Sequence, residues 1–115
     1  MRIYHNPRCS KSRIALEYLK ESGLNFEVIE YLKNIPTITE LEDILDKLNI
    51  SARELLRTSE QDYKLNNLAL DTHSEAELLA FMVKYPKLIE RPIIVKNKKA
   101  CIARPLENLK RLLNE

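Results

Sequence analysis

RIYHNPRCSKSRIALEYLKESGLNFEVI, residues 2 to 29, carries two short apolar runs separated by a polar loop and an amphipathic run, and its reading decides the fold. Arg2-Ile3-Tyr4 reads as a strand. Asn6-Pro7 ends it, because proline lacks a backbone donor and biases its predecessor away from helix. From Ser12 to Ser22 the residues Ile14, Ala15, Tyr18 and Leu19 recur at helical spacing, and Gly23, the only glycine in the chain, stands where a left-handed C-terminal cap is wanted. Phe26 to Ile29 then reads as a second strand. Two strands joined by one helix in so few residues form a right-handed βαβ unit with parallel strands. Ligands of such units lie at the carboxyl end of the first strand, which here is HNPRCSKSR, residues 5 to 13.

That loop holds a thiol, Cys9, at the mouth of the first helix. Free N–H groups and the positive end of a helix dipole favour a thiolate there, and Arg8, Lys11, Arg13 and His5 add cationic character within a few residues. Reactive cysteines occupy polar, electropositive, partly exposed settings, whereas inert ones occupy apolar ones. The polar and basic neighbours of Cys9 place it in the first group.

The rest of the chain changes character twice. From Pro36 to Pro86 only helices are expected, each opened by a capping pattern: Thr39-x-x-Glu42 before a face of Leu41, Ile44, Leu45 and Leu48, then Ser51-x-x-Glu54, then Ser74-x-x-Glu77 before Leu78, Phe81, Met82 and Tyr85. These apolar stripes read as core faces. Residues 58 to 73 are expected to form a short helix and a loop. After Pro86, Ile93-Ile94-Val95 and Ala100-Cys101-Ile102-Ala103 flank Lys96-Asn97-Lys98-Lys99 and predict a β-hairpin. Arg104-Pro105 is expected to open the last helix, with Leu106, Leu109, Leu112 and Leu113 inward. The economical assembly is α/β: a four-stranded mixed sheet, with a helical insertion between a βαβ and a ββα half.

Composition narrows the function classes. With 115 residues, 19 basic and 17 acidic side chains spread along the chain and a net charge of +2, nothing argues for a nucleic-acid surface or a membrane-binding face. The first residues contain no apolar signal segment, and no later run is long enough to span a bilayer, so a cytoplasmic protein is expected. The two cysteines suit a reducing compartment. No Cys/His cluster has zinc-ligand spacing, and no metal is expected.

Together these features resemble a thioredoxin-like fold. The HNPRCSKSR loop, the helical insertion, Leu55-Leu56-Arg57, Glu90-Arg91-Pro92-Ile93 and Ala103-Arg104-Pro105 make the chain resemble, over essentially its whole length, the glutaredoxin-coupled arsenate reductases. The resemblance implies a single domain over residues 1–115, with a thioredoxin-like core at about 1–34 and 87–115 and the insertion at about 35–86. It implies Cys9 as nucleophile, an oxyanion site of Arg57, Arg91 and Arg104, His5 near the thiolate, and Asn6 and Ser12 as supporting polar contacts. It also implies that Pro92 follows a cis peptide bond facing the cysteine loop, against the ordinary trans preference of X-Pro bonds. Arg8 and Ser10-Lys11 depart from the smaller residues that some members carry around the cysteine. No bound cofactor is implied. Arsenate is the implied substrate, glutathione the co-substrate and glutaredoxin the protein partner.

The residue types suit that chemistry. A thiolate approaching a tetrahedral oxyanion meets like charge, and arginine offsets it with a permanent charge and a planar fork that binds two oxygens. His5 has two readings, a charge that raises the thiolate fraction or a hydrogen bond that ends the strand. His73 has no role. Cys101, three residues before Arg104 on a strand, points away from the site if Arg104 faces it. With Ser12 where a second cysteine of a CxxC pair would stand, Cys9 has no adjacent resolving thiol, and an external one must complete the reaction. Two alternatives stand beside the enzyme. Spx-type regulators share the fold, bind RNA polymerase and usually carry the CxxC that this chain lacks. A glutathione-linked protein of the same fold without arsenate activity would also use an arginine-lined thiol.

Overall fold

The computed structural model describes residues 1–115, which form two compact units, one of Met1–Asn34 with Arg91–Glu115 and one of Ile35–Glu90. Residues 87–90, assigned by sequence to the thioredoxin-like core, lie in the second unit, where the Glu90 N–H donates to the Leu55 carbonyl at 2.9 Å.

The first unit is built on β1 (Arg2–His5), α1 (Ser10–Glu21), β2 (Glu27–Glu30), β3 (Ile93–Lys96), β4 (Lys99–Ile102) and a C-terminal helix, Glu107–Leu113. The sheet runs β2-β1-β3-β4. The β1–β2 pair is parallel, as the short crossover demands, and the β1–β3 and β3–β4 pairs are antiparallel. Ile3 stands opposite Ile94, and Ile94 opposite Cys101, so one face of the sheet carries all three. Ile3, Ala15, Leu19, Ile94, Ala103, Leu109 and Leu112 form the buried cluster on that face, and Cys101 packs against it. The β3–β4 turn is tight: Lys96 pairs with Lys99, and Asn97 takes the left-handed conformation (φ 57°) that a two-residue turn needs and asparagine tolerates. Gly23 likewise sits at φ 73° just past α1.

Three local expectations are corrected. α1 begins at Ser10, two residues early, because Cys9 itself is the N-cap. Its buried face is Ser12, Ala15 and Leu19, while Ile14 is 48% exposed. The last helix begins at Glu107 and not at Pro105, whose peptide bond with Arg104 is cis.

The second unit holds α2 (Ile38–Leu48), α3 (Ala52–Leu55), α4 (Gln61–Leu65), α5 (Glu75–Lys84) and a 3₁₀ turn at Pro86–Leu88, and the Glu107–Leu113 helix of the first unit becomes α6. The capping boxes at Ser51/Glu54 and Ser74/Glu77 form as the pattern predicts. The α2 cap is Thr37, not Thr39: its hydroxyl accepts the Glu40 N–H, so the helix starts a half-turn earlier than Thr39-x-x-Glu42 suggested. Leu41, Ile44, Leu45, Leu78, Leu79 and Met82 are buried, whereas Phe81 and Tyr85, expected inward, are half-exposed. Replacing the α5 cap by Ser74→Ala should cost about 1 kcal/mol, read as a lower urea midpoint at unchanged slope. No helix of the chain is long and apolar enough to cross a membrane.

Candidate active site

The loop between β1 and α1 is folded by its own side chains. The Asn6 side-chain oxygen accepts the Arg8 N–H at 3.0 Å, and the Asn6 carbonyl accepts the Cys9 N–H at 3.0 Å, so the chain turns sharply after Pro7. The Arg13 guanidinium ties the outside of the turn to the Pro7 carbonyl at 3.0 Å. Cys9 then enters the helix as its N-cap, with no side-chain cap hydrogen bond. The N-cap position stands beside the unpaired N–H groups of the first turn, where a helix favours an anion.

Burial alone raises the Cys9 thiol and is the largest single influence. It is outweighed by the Ser12 N–H, the Arg91 guanidinium, the Lys11 N–H and the charge of Arg91, and the net result lies below an ordinary cysteine. The thiol is partly exposed and free. Cys9 therefore ionises more readily than an ordinary cysteine and is within reach of solvent. Cys101 is the opposite case: burial first, and the Glu115 charge second, push it up to about 12. A cysteine-selective alkylating agent at pH 8 should label Cys9 alone, with only about one part in ten thousand of Cys101 ionised. Labelling of Cys101 at a comparable rate in the folded protein would refute this assignment.

Arg91 precedes β3, and its peptide bond with Pro92 is cis. The buried Pro92 carbonyl accepts the Ala103 N–H at 3.0 Å, which ties the start of β3 to the end of β4. Arg104 lies two residues past β4 and reaches the Arg91 carbonyl weakly, at 3.5 Å. The strand ends thus carry both arginines, while Cys101 packs into the core, as the three-residue spacing requires. The Arg91 guanidinium addresses the thiolate, yet its Nε and Nη1 are buried with no hydrogen-bond partner. Buried cationic donors are rarely left unpaired, and such orphans mark places where an anion is accepted.

Of the residues singled out by sequence, His5, Asn6, Cys9, Ser12, Arg91, Pro92 and Arg104 belong to the first unit. Arg57 belongs to the second. There, its N–H donates to the Leu88 carbonyl at 2.7 Å, its guanidinium stands 3.9 Å from Glu90, and its Nε is buried without a partner. His5 Nδ1 lies 2.6 Å from the Ser12 hydroxyl. Ser12, named from sequence only as a supporting polar contact, is fully buried on α1. The available signal was a serine at the spacing of Ala15 and Leu19.

The family model for ArsC matches residues 4–112. The chain belongs to the ArsC family. This ArsC-family chain is 45% identical over 117 residues to an arsenate reductase of Neisseria meningitidis serogroup A, covering 98% of its own length and 97% of the relative. It is 51% identical over 110 residues to the uncharacterized protein YfgD of Escherichia coli K12, covering 95% and 92%. Among solved structures it resembles the arsenate reductase from Vibrio cholerae, with a TM-score of 0.91 and 41% identity over 96% of this chain and 97% of that one. The mixed four-stranded sheet is accordingly the thioredoxin-like fold of the ArsC family.

Proposed function

We propose that this chain reduces arsenate to arsenite with Cys9 as nucleophile, glutathione as co-substrate and glutaredoxin as the protein that restores the thiol. The observation that carries the reading is a free, partly exposed thiol of lowered pKa at a helix N-terminus, beside a guanidinium with two buried, unpartnered donors. The Neisseria and Vibrio relatives named as arsenate reductases supply the substrate. Arg57 is proposed as a third oxyanion ligand on the resemblance.

In the first step the Cys9 thiolate attacks arsenic. A sulfur–arsenic bond forms, and one arsenate oxygen leaves as water after taking up protons. Arg91 and Arg104 offset the negative charge as the two anions meet. A glutathione thiolate then attacks the Cys9 sulfur: a Cys9–glutathione disulfide forms, the sulfur–arsenic bond breaks, and its electron pair goes to arsenic, which leaves as arsenite. Two thiols are oxidised to one disulfide while As(V) becomes As(III), so the electrons balance. A glutaredoxin thiolate attacks the glutathione sulfur and releases the Cys9 thiolate. The external thiol is needed because the remaining cysteine, Cys101, is packed in the core with its thiol pushed up to about 12. A reducing, cytoplasmic setting suits this chemistry.

The test is NADPH oxidation in a mixture of arsenate, glutathione, glutaredoxin and glutathione reductase. Oxidation that depends on both arsenate and this protein is the expected result. Its absence, from protein whose Cys9 alkylates as a thiolate, would remove arsenate and leave a glutathione-linked role.

A further inference from the structure

Two stretches of the second unit, 55–57 and 88–90, pair across a single bridge, with Leu56 opposite Ile89 in the antiparallel sense. Two backbone bonds close it: the Arg57 N–H donates to the Leu88 carbonyl at 2.7 Å, and the Glu90 N–H to the Leu55 carbonyl at 2.9 Å. Leu55, Leu56, Leu88 and Ile89 are all buried, so apolar packing holds the pairing in place. Arg57 and Glu90 stand diagonally across the bridge, at a spacing that long side chains can span. They do meet: Arg57 Nη1 lies 3.9 Å from Glu90 Oε1, with 17% and 28% of the two side chains exposed. The backbone thus delivers a carboxylate to the arginine proposed as an oxyanion ligand.

A carboxylate repels an anion, and a site that only gathered negative charge would do better without one. At 3.9 Å the pair is a charge contact and not a hydrogen bond, so Glu90 leaves the arginine's donors available and its own lone pairs open. An ionised carboxylate can only accept hydrogen bonds. Beside a bound oxyanion it is satisfied by an oxygen that carries a proton and opposed by one that does not. Arsenate and phosphate keep at least one hydroxyl at neutral pH, whereas sulfate, of the same tetrahedral shape, keeps none.

We infer that Glu90 is a specificity-determining residue: held beside Arg57, its carboxylate reads the hydroxyl of a protonated tetrahedral oxyanion and turns away a fully deprotonated one such as sulfate. The inference rests on the proposed role of Arg57 and adds the basis on which the site chooses among oxyanions. Arginine supplies affinity for any tetrahedral anion, and the opposite responses of the carboxylate to a protonated and a bare oxygen supply the choice. Glutamine, of nearly the same shape, would lose the choice, because its amide donates as readily as it accepts.

The test is calorimetric titration of the protein with inorganic phosphate and with sulfate, at pH 7 and constant ionic strength, with circular dichroism as the check on folding. The parent should prefer phosphate by at least about tenfold, the scale of one charged hydrogen bond exchanged for a repulsion. In Glu90→Gln the preference should fall to about threefold or less, chiefly because sulfate binds more tightly. Glu90→Ala should lower it as well, since the carboxylate itself makes the difference. A parent with no preference for phosphate, or a preference that survives in either variant, would overturn the inference. Arg57→Ala separates that failure from failure of the reading beneath it, and should weaken both anions by about tenfold or more. Both anions weakened in Arg57→Ala, with the preference intact in the Glu90 variants, would defeat the role of Glu90 alone. Phosphate affinity unchanged in Arg57→Ala would remove Arg57 from the oxyanion site and the inference with it.

Discussion

Cys9→Ser is expected to lower arsenate-dependent turnover by at least about a thousandfold while leaving the fold as stable as before, or more so. A serine hydroxyl at this position stays protonated at any pH the protein survives. The Ser12 and Lys11 N–H groups and Arg91, which hold a thiolate, cannot make an alkoxide of it. The structural consequence has the opposite sign. Cys9 is the N-cap of α1 and makes no side-chain cap hydrogen bond, whereas serine is among the best N-caps and accepts a first-turn N–H. A rise in stability of up to about 1 kcal/mol, read from the urea midpoint, should accompany the loss of turnover. A serine variant that still turns over arsenate would mean that another group attacks arsenic.

Arg91 carries the second large effect. Arg91→Ala should lower turnover by roughly a hundred- to a thousandfold, the scale of removing a preorganised donor from a developing anion. It should also raise the Cys9 pKa, since both the hydrogen bond and the charge of Arg91 hold that thiol down. Arg91→Lys separates the two contributions. Lysine keeps the charge but loses the planar fork, so the alkylation profile should move less than turnover falls. Equal displacement of both properties in the lysine variant would show that Arg91 serves the thiolate alone, and that its buried Nε and Nη1 await no ligand.

The parts of this structure that sequence made legible are those governed by local rules. Parallel pairing of β1 and β2 follows from the short crossover, and the hairpin follows from two apolar runs around Asn97. Two of the three capping boxes read from sequence formed at the residues named. Thr39 failed as a cap because Thr37, two residues earlier, offers the same hydroxyl, and a pattern with two eligible threonines cannot choose between them. The Arg104-Pro105 pair misled for a related reason. Proline is welcome in a first helical turn, but here Leu106 is the N-cap and the helix begins at Glu107.

For the candidate site, sequence supplied residues and not their wiring. Cys9 among basic neighbours pointed to a thiol that ionises readily, the direction the structure gives, and Cys101 packs against the core cluster. No local rule says that Ser12 will be fully buried while Ile14, the better hydrophobe, is left exposed. Ser12 shares the buried face of Ala15 and Leu19, and which face of α1 turns inward is settled by tertiary packing. His5 illustrates the same limit. No local rule foresees the 2.6 Å contact between its Nδ1 and the Ser12 hydroxyl, seven residues on.

Mass spectrometry of the protein after a single turnover, with arsenate and glutathione present and glutaredoxin withheld, tests most directly whether Cys9 is the sulfur that reduces arsenate. The account predicts one glutathionyl group on Cys9, formed only when arsenate is present and in step with the arsenite released, and none on Cys101. Arsenite released with Cys9 unmodified, or glutathionylation that proceeds equally without arsenate, would contradict it.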